Sequence, residues 1–83
     1  MGENKNSNSL TDEVLKVFNS FGYVKTEIIQ GKTHIYTYHD SRTDRIALKL
    51  KKMGYEFERY YDVVNESESV LIGWTNIQKN IDL

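Results

Sequence analysis

The chain has 83 residues, of which 39% are hydrophobic and 28% charged, and a formal net charge of −1. This length makes one domain that buries roughly 64% of its unfolded surface, enough for a single core, and six Tyr, three Phe and one Trp exclude a chain too polar to fold. The near-neutral charge gives no global attraction to nucleic acid or to a basic partner, and the longest apolar runs are too short to span a membrane. The absence of Cys excludes disulfides, thiolate chemistry and cysteine-ligated zinc, and fits a reducing, cytoplasmic location.

Met1 to Ser9 is polar, lacks the apolar core of a signal peptide, and reads as a disordered lead-in. A single domain is expected over residues 10–83. A first helix should begin at Thr11, an N-cap followed by Asp12 and Glu13 where the helix dipole favours acids. Leu10 and Leu15 are placed as a hydrophobic staple around it. Leu10, Val14, Leu15, Val17, Phe18 and Phe21 repeat at helical spacing, and Gly22 is the natural stop. Tyr23 to Tyr38 reads as a hairpin turning at Gly31-Lys32 in a type II′ turn. That register pairs Ile28 with Ile35 and Thr26 with Thr37. It puts Val24, Thr26, Ile28, Ile35 and Thr37 on a core face, and Tyr23, Lys25, Glu27, Ile29, His34, Tyr36 and Tyr38 on a wet one.

The second helix should start at Asp40 or Ser41, with Ser41 and Asp44 as a capping box. Ile46, Ala47, Leu50 and Met53 are its apolar face, and Gly54 its end. A second hairpin follows, Tyr55 to Val64 and Val70 to Thr75, joined by the polar loop 65–69. One alignment sets Val63 opposite Leu71 and Tyr60 opposite Trp74. The tail from Asn76 holds Ile77, Ile81 and Leu83, and is expected to add a turn or strand.

The steps Phe21-Gly22-Tyr23 and Met53-Gly54-Tyr55 mark two like units, about 10–39 and 40–75, with a tail over 76–83. The expected architecture is α+β, in α-β-β-α-β-β order, with two helices on one face of a four-stranded antiparallel sheet. With no Pro to protect a strand edge, edge-to-edge homodimerisation is open to the chain.

No phosphate-binding loop, dinucleotide fingerprint, paired-His zinc motif or nucleophile elbow is present, so no cofactor or metal is expected. His34 and His39 lie five apart on an extended stretch and face opposite ways. Phe21-Gly22-Tyr23 followed by Gly31-Lys32-Thr33-His34-Ile35-Tyr36, about a third of the chain, resembles the opening of HicA-type mRNA interferase toxins. There a short helix, a Gly-aromatic step and a strand lead to a Gly-Ser-His turn. Thr33 stands at the family's Ser, and a second hairpin follows the second helix where the family has a third strand and a final helix. The resemblance implies a ribonuclease with His34 as general acid–base.

Three functions are therefore expected in order. The first is a non-enzymatic regulatory or adaptor protein that binds a protein partner, or its own copy, through an exposed aromatic sheet face of Tyr23, Tyr36, Tyr38 and Trp74. The second is a single-stranded nucleic-acid binder. It uses a basic stripe on the second helix, Arg42, Arg45, Lys49 and Lys52, with Tyr36 and Tyr38 stacking on bases. The third is the His34 ribonuclease. Glu56, Glu58, Asp62, Glu66 and Glu68 make the second hairpin acidic, which repels nucleic acid and suits a basic protein partner.

Overall fold

The computed structural model describes residues 11–64 and 69–79. The lead-in, Leu10 with its part in the staple, the 65–68 connection, and Ile81 and Leu83 lie outside them. Thr11 starts the first helix, its hydroxyl accepting the Val14 N–H at 3.3 Å. α1 runs Asp12–Phe21, with Val14, Val17 and Phe18 buried, and Gly22 closes it by donating to the Phe18 carbonyl at 2.8 Å. α2, Arg42–Lys52, buries Thr43, Ile46, Ala47 and Leu50. Its start corrects the expected Ser41–Asp44 box, because Ser41 makes no side-chain cap bond. The Asp40 carboxylate accepts the Arg42 N–H at 2.9 Å, and Thr43 Oγ1 accepts the Asp40 N–H at 3.3 Å. This is the same reciprocal device one residue earlier. It wins because a carboxylate is the stronger acceptor beside a helix N-terminus.

β1 (Lys25–Ile29) and β2 (Lys32–Tyr38) form the first hairpin. Ile29 faces Lys32, so the turn residues are Gln30 and Gly31, with φ of 52° and 82°. Two successive positive φ values are the type I′ pattern, and the expected Gly31-Lys32 turn is corrected to Gln30-Gly31. Moving the turn by one residue moves each partner by two, so that Thr26 faces Ile35 and Ile28 faces Thr33. A shift of two leaves every side chain on its expected face.

The second hairpin, β3 (Tyr55–Val64) and β4 (Ser69–Lys79), differs more. Val63 faces Val70, Tyr60 faces Gly73 and Arg59 faces Trp74, one residue away from the expected alignment. A slip of one exchanges the faces. Trp74 therefore points to the helices and Tyr60 away from them. β4 also continues through the residues expected to form a separate tail. It does so across a bulge, where Glu58 faces Thr75 but Glu56 faces Gln78. Asn76, at φ 53°, takes up the extra residue, and Ile77 thereby packs against the core.

The sheet order is β1-β2-β4-β3, every pair antiparallel. Each hairpin gives its second strand to the centre and its first to an edge. Both helices cover one face, in the α+β arrangement expected. The Arg42 guanidinium, at the start of α2, donates to the Phe21 carbonyl at the end of α1 (3.0 Å). Tyr55, just after α2, donates to Glu13 at the start of α1 (2.6 Å). The two helices thus run antiparallel. Trp74 is at the middle of the core, its indole N–H donating to Thr37 Oγ1 at 2.9 Å. Phe18 meets its ring edge-on with centroids 5.5 Å apart, and Phe57 lies 5.3 Å away.

This centring draws the helices over β2, β4 and β3 and leaves β1 uncovered. All five β1 residues are exposed. Val24 and Ile28, expected in the core, are exposed, and so is Thr26. The like steps after Gly22 and Gly54 have unlike environments for the same reason, since Tyr55 is buried and Tyr23 is exposed. No helix among the described residues is long and apolar enough to cross a membrane.

Gln30 holds a left-handed conformation that Asn adopts more readily, and Asn-Gly is the favoured type I′ pair. Gln30→Asn should raise stability by about 0.5–1 kcal/mol, or the melting temperature by roughly 2–8 °C, as thermal unfolding followed by circular dichroism will read.

Candidate functional site

The face of the sheet without helices is roofed by its own side chains. Tyr60 lays its ring across Gly73, the residue facing it on β4, so closely that a Cβ at Gly73 would overlap the ring. A hydrogen-bond chain runs from that ring across three strands. Tyr60 donates to the Tyr36 hydroxyl at 2.8 Å, and Tyr36 donates to Glu27 Oε1 at 3.2 Å. His34 Nδ1 is 2.8 Å from the Tyr60 oxygen. Because the single Tyr60 proton is given to Tyr36, Nδ1 is the donor there, and His34 Nε2 faces Thr75 Oγ1 at 3.4 Å. Every link thus points toward the Glu27 carboxylate. Lys25, 3.1 Å away, and then the Tyr36 hydroxyl hold Glu27 below the usual carboxylate range. Burial first, then Tyr60 and Glu27, push the Tyr36 hydroxyl well above an ordinary tyrosine, so it stays a neutral donor.

The four expected partner-binding residues are not brought together. Trp74 is in the core on the other side of the sheet, and Tyr36 is only 3% exposed beneath its neighbours. Tyr23 and Tyr38 are exposed, with the Arg42 guanidinium 5.7 Å from the Tyr38 ring. Nor is the basic stripe uniform. Arg42 is held by Asp40 (2.6 Å) and by the Phe21 carbonyl, and ties the two helix ends together. Arg45, Lys49 and Lys52 remain exposed on α2. Lys49 flanks the groove between the helices, with Lys16 and Glu13 among the residues lining it.

A surface that sequence reasoning missed lies at the other end of the core. Val63 faces Val70 and Tyr61 faces Ile72 on the helix side of β3 and β4. Tyr61 and Val63 are 68% and 61% exposed. The His39 N–H bonds to the Val70 carbonyl at 3.3 Å, and its ring meets Tyr61 edge-on with centroids 5.3 Å apart. Of these side chains His39, Tyr61 and Ile72 line a cleft of about 300 Å³ together with Asp40, Thr43, Asp44, Arg59 and Tyr60. That volume is at the lower bound for a binding pocket. The Asp44 carboxylate is 98% exposed, and its partner Arg59 is 3.9 Å away. Arg59 is itself held against the Trp74 ring, 5.5 Å from its centroid. Alternating apolar residues on the two strands were the sequence signal. The wrong register hid which of them met.

Among the described residues no three His, Asp or Glu side chains converge as a metal site. No protein-family model, curated protein or solved structure matches this chain.

Gly73→Ala should cost about 1–3 kcal/mol, since the Tyr60 ring must leave its seat and its hydrogen bonds. In a Tyr60→Ala background the same change should cost little, and a double-mutant cycle by urea unfolding checks this coupling. Glu27, with its folded pKa depressed, adds stability above its unfolded pKa that is lost as pH falls through the folded value. Glu27→Gln should therefore be less stable than the native chain at neutral pH, and the difference should close under acid in denaturant titrations across that range.

Proposed function

We propose that this chain is a small non-enzymatic binding protein of the cytoplasm that captures a segment of a partner protein bearing both apolar and basic side chains. The observation that carries this reading is the exposed Tyr61–Val63–Val70 surface beside the Asp44 carboxylate. An apolar strip at the mouth of a cleft favours burial of aliphatic groups. The exposed Asp44 carboxylate on its wall, 3.9 Å from Arg59, selects a cation by charge complementarity.

The expected aromatic sheet face gives way to this end surface, because the tyrosines of the middle of that face bind one another. The nucleic-acid reading loses Tyr36 as a stacking platform and Arg42 as a free phosphate ligand, and rests on Arg45, Lys49 and Lys52. The HicA-like ribonuclease reading has His34 in a chain whose two ring nitrogens already face Tyr60 and Thr75.

Titrating isotope-labelled protein with a short alternating Lys-Leu peptide, a Glu-Leu peptide and single-stranded RNA tests the assignment by backbone amide shifts. The Lys-Leu peptide should shift Asp44, Tyr61, Val63 and Val70 and bind at least about ten-fold tighter than the Glu-Leu peptide. Tyr61→Ser with Val63→Ser should abolish the response. Shifts confined to Arg45, Lys49 and Lys52, produced by RNA and weakening steeply with salt, would replace this reading with the nucleic-acid one.

A further inference from the structure

The two sheet edges differ in how they are protected. β3 carries Glu56, Glu58 and Asp62 and faces a bulge, which are the usual guards against pairing with another chain. β1 has neither Pro nor a register shift, and among the described residues it lies at the end of the sheet with β2 as its only neighbour. Among the described residues no helix covers its helix-side residues Thr26 and Ile28 or Val24 just before the strand, and Ile28 is 74% exposed. An uncovered edge of this kind, without Pro or bulge, is a template for another strand.

We propose that the occupant is a second copy of this chain, joined β1 to β1 in antiparallel pairing centred on Thr26. Charge and symmetry together select this register. In an antiparallel pair, facing residues lie on the same side of the sheet, so a twofold axis normal to the sheet passes midway between one residue and its own copy. An axis at Lys25 sets Lys25 against Lys25, and an axis at Glu27 sets Glu27 against Glu27. Both put like charges opposite one another, which is destabilising. Axes farther out run the strand into the turn or into the end of α1. An axis at Thr26 sets Lys25 against Glu27 of the second copy and Glu27 against its Lys25. On the helix side it sets Val24 against Ile28, twice, with Thr26 against Thr26 between them. Tyr23 meets Ile29 on the far side. Every pair in this register is complementary, and it is the one symmetric register of the strand for which this holds. The product is a continuous eight-stranded sheet with both helical layers on one face, on a surface separate from the cleft of the proposed function.

Sedimentation of the full chain over a range of concentration, with single and paired charge changes, tests this. The native chain should move from one copy toward two as concentration rises. Lys25→Glu should weaken the association by at least about ten-fold, because two attractive cross-strand pairs become repulsive, and Lys25→Glu with Glu27→Lys should restore it. Because the chain has no Cys, Thr26→Cys gives a single thiol opposite its own copy. It should oxidise to a covalent dimer, whereas Ile28→Cys, which faces Val24, should not. The cysteine variants keep the test decisive even if Lys25→Glu fails to fold. A native chain that stays monomeric at high micromolar concentration, a charge reversal without effect, or equal cross-linking at Thr26 and Ile28 would each overturn the proposal.

Discussion

The hydrogen bond from the Trp74 indole to the Thr37 hydroxyl, made in the driest part of the molecule, is the constraint on which the rest of the structure depends. Thr37 belongs to the first hairpin and Trp74 to the second, and the bond crosses the β2–β4 seam that makes one sheet of two hairpins. A buried indole N–H without a partner is costly, so this bond selects both the pairing of the central strands and the face of β4 that meets the helices. Phe18, Phe57 and Arg59 then settle around the ring. The helices follow the ring, and β1 is left outside their cover.

Register does the remaining work on the opposite face. With Trp74 inward, Gly73 is outward and faces Tyr60. A glycine in a strand leaves a gap in the side-chain layer, and the Tyr60 ring fills it. The hydroxyl of that ring is then positioned to join His34, Tyr36 and Glu27 in one directed chain. The sheet closes the middle of its own bare face, and Tyr36, which looks available in sequence, is occupied by Tyr60 and Glu27. The bulge at Asn76 has a matching effect on the helix side. By exchanging the faces of β4 beyond it, it returns Ile77 to the core and brings Lys79 within 3.6 Å of Glu13 on α1.

The surfaces left for function are therefore at the margins of the sheet rather than in its middle. The Tyr61–Val63–Val70 strip lies along β3 and β4, and the Val24–Ile28 strip lies along β1, at the other end of the strand order. In the proposed dimer the β1 strands meet at the centre and the two β3–β4 strips lie outermost. A bivalent partner held at both would gain from the high effective concentration of the second site.

Much of this protein was legible in its residues. Helix positions follow from the 3.6-residue spacing around Val14, Phe18, Ile46 and Leu50, the ends from Thr11, Gly22 and Gly54, and the α+β order from the alternation of helical and strand-like periods. These are local properties, set by backbone geometry and by the burial of one stripe or face. Even the misplaced first turn kept its faces, because a two-residue loop moved by one position shifts partners by two. The second hairpin was not legible, because its long polar connection carries no turn residues that pin a register, and a slip of one residue exchanges the two faces. That choice fell to tertiary contacts between residues 37 apart, Trp74 with Thr37, and to the fit of the Tyr60 ring over Gly73. With it went the assignment of Trp74 and Tyr36 to an open surface and the place of the exposed strip. Sequence determined which segments are helices and strands. Only the assembled core decided which side the second hairpin turns toward it, because that depends on where one indole finds both a cavity and an acceptor.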